Sequence, residues 1–259
     1  MPEDAFKVIT GQNEEDAQKQ NPGKNKILIQ ALDNSYSMSG SPIEALKLGA
    51  QMIGQKLLEP EERPFEQFHT FVYNNRANGF LAKDYPQYNS QIQNIRAGGG
   101  TNFMEVFKEI KRVLRENPDC EDLVVIFITD GQDGYYSPNG NRDAEYEQIS
   151  AEIRSLEKVR SKFLSVGFSR GHDAAFMNRI ANFGSEIGNF IFIDSYEEGW
   201  RDKLNESLLE SLEIALDVAA KVKYQIKNVQ VGHDEETKAD INYVVRQSAA
   251  QTERDAQPQ

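Results

Sequence analysis

The chain has 259 residues, 39% hydrophobic and 27% charged, which is enough apolar material for one sizeable α/β domain with residues left over. It carries 29 Lys+Arg against 41 Asp+Glu, a net charge of -12, with no basic patch to offset it, which argues against a nucleic-acid partner. No window approaches the apolar length of a membrane span, and the single cysteine, Cys120, rules out an internal disulfide.

Residues 1–24 read as a polar N-terminal arm, with Phe6, Lys7, Val8 and Ile9 as its one apolar island and a candidate short strand. The arm is acidic rather than a signal sequence. Together with the lone cysteine it leads to the expectation of a cytoplasmic, reducing location. Residues 25–218 read as the main domain, 219–246 as a C-terminal β extension and 247–259 as a disordered tail.

Within the domain, the apolar run 27–32 predicts a strand covered on both faces. It stops at Asp33, after which Ser35 and Ser37 alternate. Ser41 is then expected to cap a helix that has Pro42 in its first turn. Ile43, Leu46, Ala50, Ile53 and Leu57 carry that helix to near Leu58. Residues 65–73 form a strand rich in aromatic and β-branched side chains. The turn cluster from Asn74 to Gly79 returns it as a short strand at 79–82, an antiparallel hairpin at the edge of the sheet.

A helical piece near 90–95 leads to Gly98-Gly99-Gly100-Thr101-Asn102. A helix marked by Phe103, Val106, Phe107, Ile110 and Leu114 follows and ends at Asn117-Pro118. Residues 123–129 are the most apolar strand and run into Asp130-Gly131-Gln132-Asp133-Gly134. Next come a polar loop, a helix over 144–160 and a strand over 163–168. A further helix carries Phe176, Met177, Ile180, Ala181 and Phe183 and is stopped by Gly184. A last buried strand at 189–193 precedes a long helix over 197–216 with Leu204, Leu208, Leu212 and Ile214 inward. Beyond it, 221–231 alternates and 241–245 is apolar. These form either a hairpin outside the domain or the start of another domain.

Strands alternating with helices predict an α/β fold: a doubly wound, mostly parallel, Rossmann-like sheet with one antiparallel edge strand and helices on both faces. Such sheets bind ligands beyond the carboxyl ends of their strands, where strand order reverses. The loops after Leu32, before Phe103 and after Thr129 are the candidates. They supply Asp33, Ser35, Ser37, Thr101 and Asp130. Carboxylates with hydroxyls are the donors of a small hard cation: Mg²⁺ first, with Mn²⁺ or Ca²⁺ as alternatives. Taken singly, each of these residues reads as a helix cap; taken as a set, they read as a metal centre.

The run Asp33-Asn34-Ser35-Tyr36-Ser37, then Gly100-Thr101, then Ile128-Thr129-Asp130-Gly131 resembles the von Willebrand factor type A domain and its metal-ion-dependent adhesion site. The resemblance covers roughly residues 24–216. It implies that Ser35 and Ser37 ligate directly, that Asp33 and Asp130 often act through waters, and that Thr101 ligates in one conformation only. It further implies an open coordination position that a partner protein's Asp or Glu completes, and a final helix able to move. The glycines before Thr101 are expected to let backbone approach the ion closely.

Other candidates are weaker. The glycine run has no following lysine and is no P-loop. His69, His172 and His233 are scattered, although His172 follows a strand end and could line the rim of the site. Cys120 sits among acidic residues and is no nucleophile. Tyr36, Asn102, Tyr135 and Tyr136 flank the site and are candidate anchors for a partner. The expected function is therefore a non-enzymatic, metal-dependent protein-binding module with no catalytic residue. One alternative is a Mg²⁺-dependent phosphohydrolase. It would need a second acid where Ser35 stands and a lysine that the matching loops lack. The other is a scaffold whose metal site stays empty.

Overall fold

The computed structural model describes residues 24–131, 133–134, 142–168, 173–194, 197–204 and 206–210. The expectations for the N-terminal arm, Tyr135, Tyr136, His172, Leu212, Ile214, His233 and everything beyond residue 210 lie outside the described residues.

The described elements are β1 (Lys26–Asp33), a 3-10 turn (Tyr36–Met38), α1 (Ser41–Leu58), β2 (Gln67–Tyr73), β3 (Ala77–Leu81), α2 (Tyr85–Gln93), α3 (Phe103–Glu116), β4 (Asp122–Thr129), α4 (Arg142–Arg154), β5 (Arg160–Phe168), α5 (Ala174–Ala181) and β6 (Asn189–Ile193). Residues 200–204 and 206–210 are helical as well. The strands form one 6-stranded sheet in the order β3-β2-β1-β4-β5-β6. Every pairing is parallel except the β2–β3 hairpin at one edge. This is the doubly wound sheet expected from the sequence.

The reversal of strand order falls between β1 and β4, the most deeply buried strands. Their side chains divide by parity between two cores. Leu28, Leu32, Val124, Ile126 and Ile128 face α1, α2 and the helical residues Leu204 and Leu208. Ile27, Ile29, Ala31, Leu123, Val125 and Phe127 face α3, α4 and α5 through Phe103, Phe107, Tyr146 and Phe176. Because both faces are covered, these strands are apolar throughout and do not alternate with polar residues. The second core is largely aromatic. Phe103 meets Phe127 edge-on at 5.0 Å, and Tyr146 meets Phe176 edge-on at 4.7 Å.

Several boundaries depart from expectation. Ser41 is not a cap: Gly40, at φ 84°, holds the N-cap position of α1, and Ser41 is the first helical residue. The helix expected over 144–160 stops at Arg154, because residues 160–162 are drawn into β5 by pairing with Asp122–Val124 of β4. Gly184 does not terminate α5, whose C-cap is Asn182. It is small because a Cβ there would stand 2.1 Å from the Ser161 carbonyl oxygen. Finally, β6 is an edge strand with only Ile193 buried, not the buried strand its composition suggests.

Candidate metal centre

The candidate donors gather at the carboxyl ends of β1 and β4. Asp33 is the last residue of β1, opposite Tyr73 of β2, and is fully buried. Strand pairing runs one step further, with Asn34 N–H donating to the Tyr73 carbonyl at 2.8 Å, before the chain turns away. Ser35 N–H then donates to Asp33 Oδ1 at 2.7 Å, a short local turn that folds the loop back over the strand end. The 3-10 turn that follows brings Ser37 beside Ser35, with their hydroxyl oxygens 3.0 Å apart. Ser37 Oγ donates to Asp130 Oδ1 across the switch point at 2.8 Å. Four of the expected donors, Asp33, Ser35, Ser37 and Asp130, thus lie on one connected hydrogen-bond path.

Thr101 joins them by position. A Cβ placed on Gly131 would stand 3.8 Å from both Ser37 Oγ and Thr101 Oγ1. Glycine at 131 therefore leaves a hollow that hydroxyls from two separate loops border. Among the described residues no three His, Cys, Asp or Glu side chains converge. The donor set is instead hydroxyls with two carboxylates, which suits a small hard cation better than zinc or copper. The residues present fit the metal that the sequence implied.

The electrostatics agree. Burial pushes the Asp33 carboxyl up to about 6, against the lowering hydrogen bonds from Thr129 and Ser35, and nearby Asp130 raises it further. Asp130 is likewise raised by burial, opposed by the Ser37 hydroxyl. Among the described residues hydrogen bonds, not a cation, oppose that burial, and a bound cation would stabilise both charged forms.

Residues that sequence reasoning passed over hold the loops in place. Thr129 Oγ1 donates to Asp33 Oδ2 at 2.5 Å and accepts from Gly131 N–H at 3.1 Å. Its position beside Asp130 was a signal that could have been used. Asn74 Nδ2 donates to the Gly98 carbonyl at 2.9 Å, and Gly100 N–H donates to Asn75 Oδ1 at 2.9 Å. The glycine run is thus packed closely against the asparagines of the β2–β3 turn, and Gly99 sits at φ 80°. Asp133 accepts from Phe103 N–H at 3.2 Å and from the Tyr146 hydroxyl at 2.6 Å, while Gly134 N–H donates to the Thr101 carbonyl at 2.7 Å. Asn102, the formal N-cap of α3, makes no capping hydrogen bond. The cap comes from Asp133, thirty residues along the chain, and local pattern cannot announce it.

The remaining candidates separate. Tyr36 is 75% exposed between the two serines and remains available as an anchor. Asn102 is half-buried. His69 lies on β2, where it contacts Gln67 Oε1 at 2.8 Å, away from the site. Cys120 is buried, with its thiol pushed up to about 12 by desolvation and then by Asp122, so it has no nucleophilic character. No helix among the described residues is long and apolar enough to cross a membrane.

No protein-family model matches the chain, and no curated protein does. Solved structures do. A von Willebrand factor type A protein from Catenulispora acidiphila superposes with TM-score 0.56 at 16% identity, over 72% of this chain and 42% of that one. Proximal thread matrix protein 1 from the mussel byssus, solved with a zinc-occupied metal-ion-dependent adhesion motif, gives 0.55 at 18% identity over 75% and 46%. The von Willebrand factor domain of the type V pili tip protein Mfa5 from Porphyromonas gingivalis gives 0.51 at 11% identity over 80% and 98%. The chain thus spans less than half the length of the first two structures. At these identities the likeness concerns architecture. With its strand order, its single antiparallel edge and its switch point, the chain has the von Willebrand factor type A fold.

Proposed function

We propose that Asp33, Ser35, Ser37, Thr101 and Asp130 hold a divalent cation, Mg²⁺ in the first instance, and that the loaded site binds an Asp or Glu side chain of a partner protein. One observation carries this reading: the Ser37 and Thr101 hydroxyls, from two separate loops, border the hollow at Gly131, and Ser37 is hydrogen-bonded to both Ser35 and Asp130. The cation would supply electrophilic attraction for an incoming carboxylate. The protein's own residues do the rest. Ser35 and Ser37 offer neutral oxygens, which leave positive charge uncancelled. Asp33 is clamped by Thr129 and the Ser35 N–H, so its carboxylate is oriented in advance. Asp133 and Gly134 fasten the Thr101 loop to the loop after β4.

A zinc-bearing adhesion motif in the mussel matrix protein supports divalent-cation use in this fold, and a pilus tip protein among the neighbours supports a binding role. An enzymatic reading has less support. The position two residues after Asp33, where an aspartate-nucleophile phosphohydrolase needs its acid, is Ser35, which here contacts Ser37. A cytoplasmic location is part of this reading and rests on the single, buried thiol of Cys120.

The test is a Mn²⁺ or Mg²⁺ titration by calorimetry, followed by an anomalous-difference map from Mn²⁺-soaked crystals. One ion per chain between Ser35, Ser37 and Asp130 is expected. Saturating cation without any binding heat or peak there would overturn the proposal.

A further inference from the structure

Beside the metal loops lies a cavity of about 480 Å³, bordered among others by Ser39, Gly40, Glu44, Lys47, Gln93 and Arg96. Its walls continue the metal loops. Ser39 and Gly40 follow Ser37 by two and three residues, and Arg96 precedes the glycine run of Thr101. The two walls are stitched together at the site itself: Asn34 Nδ2 donates to the Arg96 carbonyl at 2.8 Å, and Tyr36 N–H to the Gly99 carbonyl at 3.0 Å.

In a chain of net charge -12, this cavity holds two cations and one anion. Lys47 is 6% exposed. Taking an ammonium out of water is costly unless a good counter-ion accompanies it. Among the described residues its counter-ion is Glu44, at 3.2 Å one helical turn earlier, whose side chain is 69% exposed. With Glu44 on the solvent side, this i,i+3 pair is readily exchanged. The Arg96 guanidinium is on the surface. Its Nη1 donates to the carbonyls of Gln93 and Ile95 at 2.8 and 2.9 Å, and no carboxylate pairs with it among the described residues.

We infer that this cavity is a second subsite for the same partner and takes a second acidic side chain through Lys47 and Arg96. The inference rests on the proposed metal reading for its first anchor. Three residues of chain span at most about 11 Å at ~3.8 Å each, so the cavity wall is a short step from Ser37. An extended partner segment advances ~3.3 Å per residue, which places its two acids roughly two to four positions apart. Tyr36, 75% exposed on the same loop as Ser37, packs against the intervening residues. The incoming carboxylate displaces Glu44 from Lys47. Glu44 is therefore a competitor, and its removal strengthens binding.

The probes are flexible Gly-Ser-Ala peptides. One carries a single Asp; the others carry the same Asp with a Glu two, three or four residues away. Each is titrated by fluorescence anisotropy into the full chain with Mg²⁺ and with EDTA. The second acid is expected to tighten binding about tenfold at one spacing, the size of a modest interfacial charge pair. Arg96→Gln and Lys47→Met, which keeps the buried stem, remove that gain. Glu44→Gln raises affinity for the two-acid peptide, and all three variants keep wild-type cation affinity. Equal binding of one-acid and two-acid peptides overturns the inference while leaving the metal reading intact, and so does a Glu44→Gln that weakens binding. Binding that ignores EDTA removes the metal reading instead; the cavity then stands or falls on Arg96→Gln. No binding by any peptide at millimolar concentration overturns the inference outright.

Discussion

Two buried carboxylates stand at opposite ends of the central strands, and their surroundings differ in kind. Asp122 opens β4 and Asp33 closes β1; both are fully buried. Asp122 has protein cations. Arg160 Nη2 lies 2.6 Å from its Oδ1, and burial, which raises its pKa, is opposed first by Arg160 and then by Lys26. Asp33 has no such cation among the described residues. A hydroxyl and a backbone N–H are what it accepts from, and its acidic neighbour Asp130 adds repulsion. Burying a charge without a counter-ion costs several kcal/mol. At its amino end the sheet supplies the counter-charge from its own chain. At its carboxyl end, among the described residues, burial of Asp33 is opposed only by hydrogen bonds; under the proposed function a bound cation would offset it.

The sharpest way to break this comparison is to neutralise each carboxylate in turn. Asp33→Ala should lower Mg²⁺ or Mn²⁺ affinity by about 100-fold or more, at or beyond the upper end of the ~10–100-fold typical of groups that only support a ligand. Calorimetric titration measures it. Without cation, Asp33→Asn should raise the unfolding midpoint, because it removes a buried charge that lacks a counter-ion. Asp122→Asn should lower stability by about 1–3 kcal/mol in denaturant titrations and leave cation affinity unchanged, because it strands Arg160. That figure allows for Arg160, whose side chain is 37% exposed and can turn to water. Shifts of the same sign from both substitutions would end the comparison.

The next effect is on pH. Folding raises the Asp33 carboxyl from 3.8 to about 6, so the folded state binds this proton more tightly than the unfolded state does. In EDTA its favourable contribution is complete below 3.8. It is lost as pH rises to about 6, a change of at most about 3 kcal/mol. Saturating Mg²⁺ should reverse that trend, and cation affinity should fall as pH drops below about 6. Melting curves from pH 4 to 8, with and without chelator, test both, and Asp33→Asn should flatten the chelated profile.

The smallest effect comes from the latch on the Thr101 loop. Tyr146→Phe deletes the hydroxyl that donates to Asp133 Oδ2 and keeps the aromatic packing. It should cost about 1 kcal/mol of stability and weaken cation binding by about threefold. If the latch acts through Thr101, Thr101→Ala will cost less in the Tyr146→Phe background than in wild type. Additive costs would show that Tyr146 only supports the core.

Much of this was open to reading because the signals are local. The run 27–32 is apolar without alternation, as a strand covered on both faces must be, and the Asn74–Gly79 cluster forces a hairpin and hence an edge. The five candidate donors could be picked out because each sits at the exit of a strand or the entry of a helix, where backbone direction is already determined. What misled were residues whose role lies across space. Gly184 resembles a helix stop but yields to the Ser161 carbonyl. The apolar residues of 189–193 suggest a buried strand but form an edge. Ser41 resembles a cap, whereas Gly40 makes the turn.

The mostly parallel sheet with its antiparallel edge and the three candidate loops at its carboxyl end followed from the amino-acid sequence by itself, since periodicity and turn residues are properties of neighbours in the chain; the strand order came from the tertiary structure. The capping of α3 by Asp133, the clamping of Asp33 by Thr129 and the cavity between Lys47 and Arg96 were decided only by tertiary structure. They depend on distances between segments many residues apart, which packing sets and no local pattern encodes. The missing counter-charge at Asp33 belongs to the same class. The sequence shows where an acid is, but only the folded chain shows that, among the described residues, no cation reaches it.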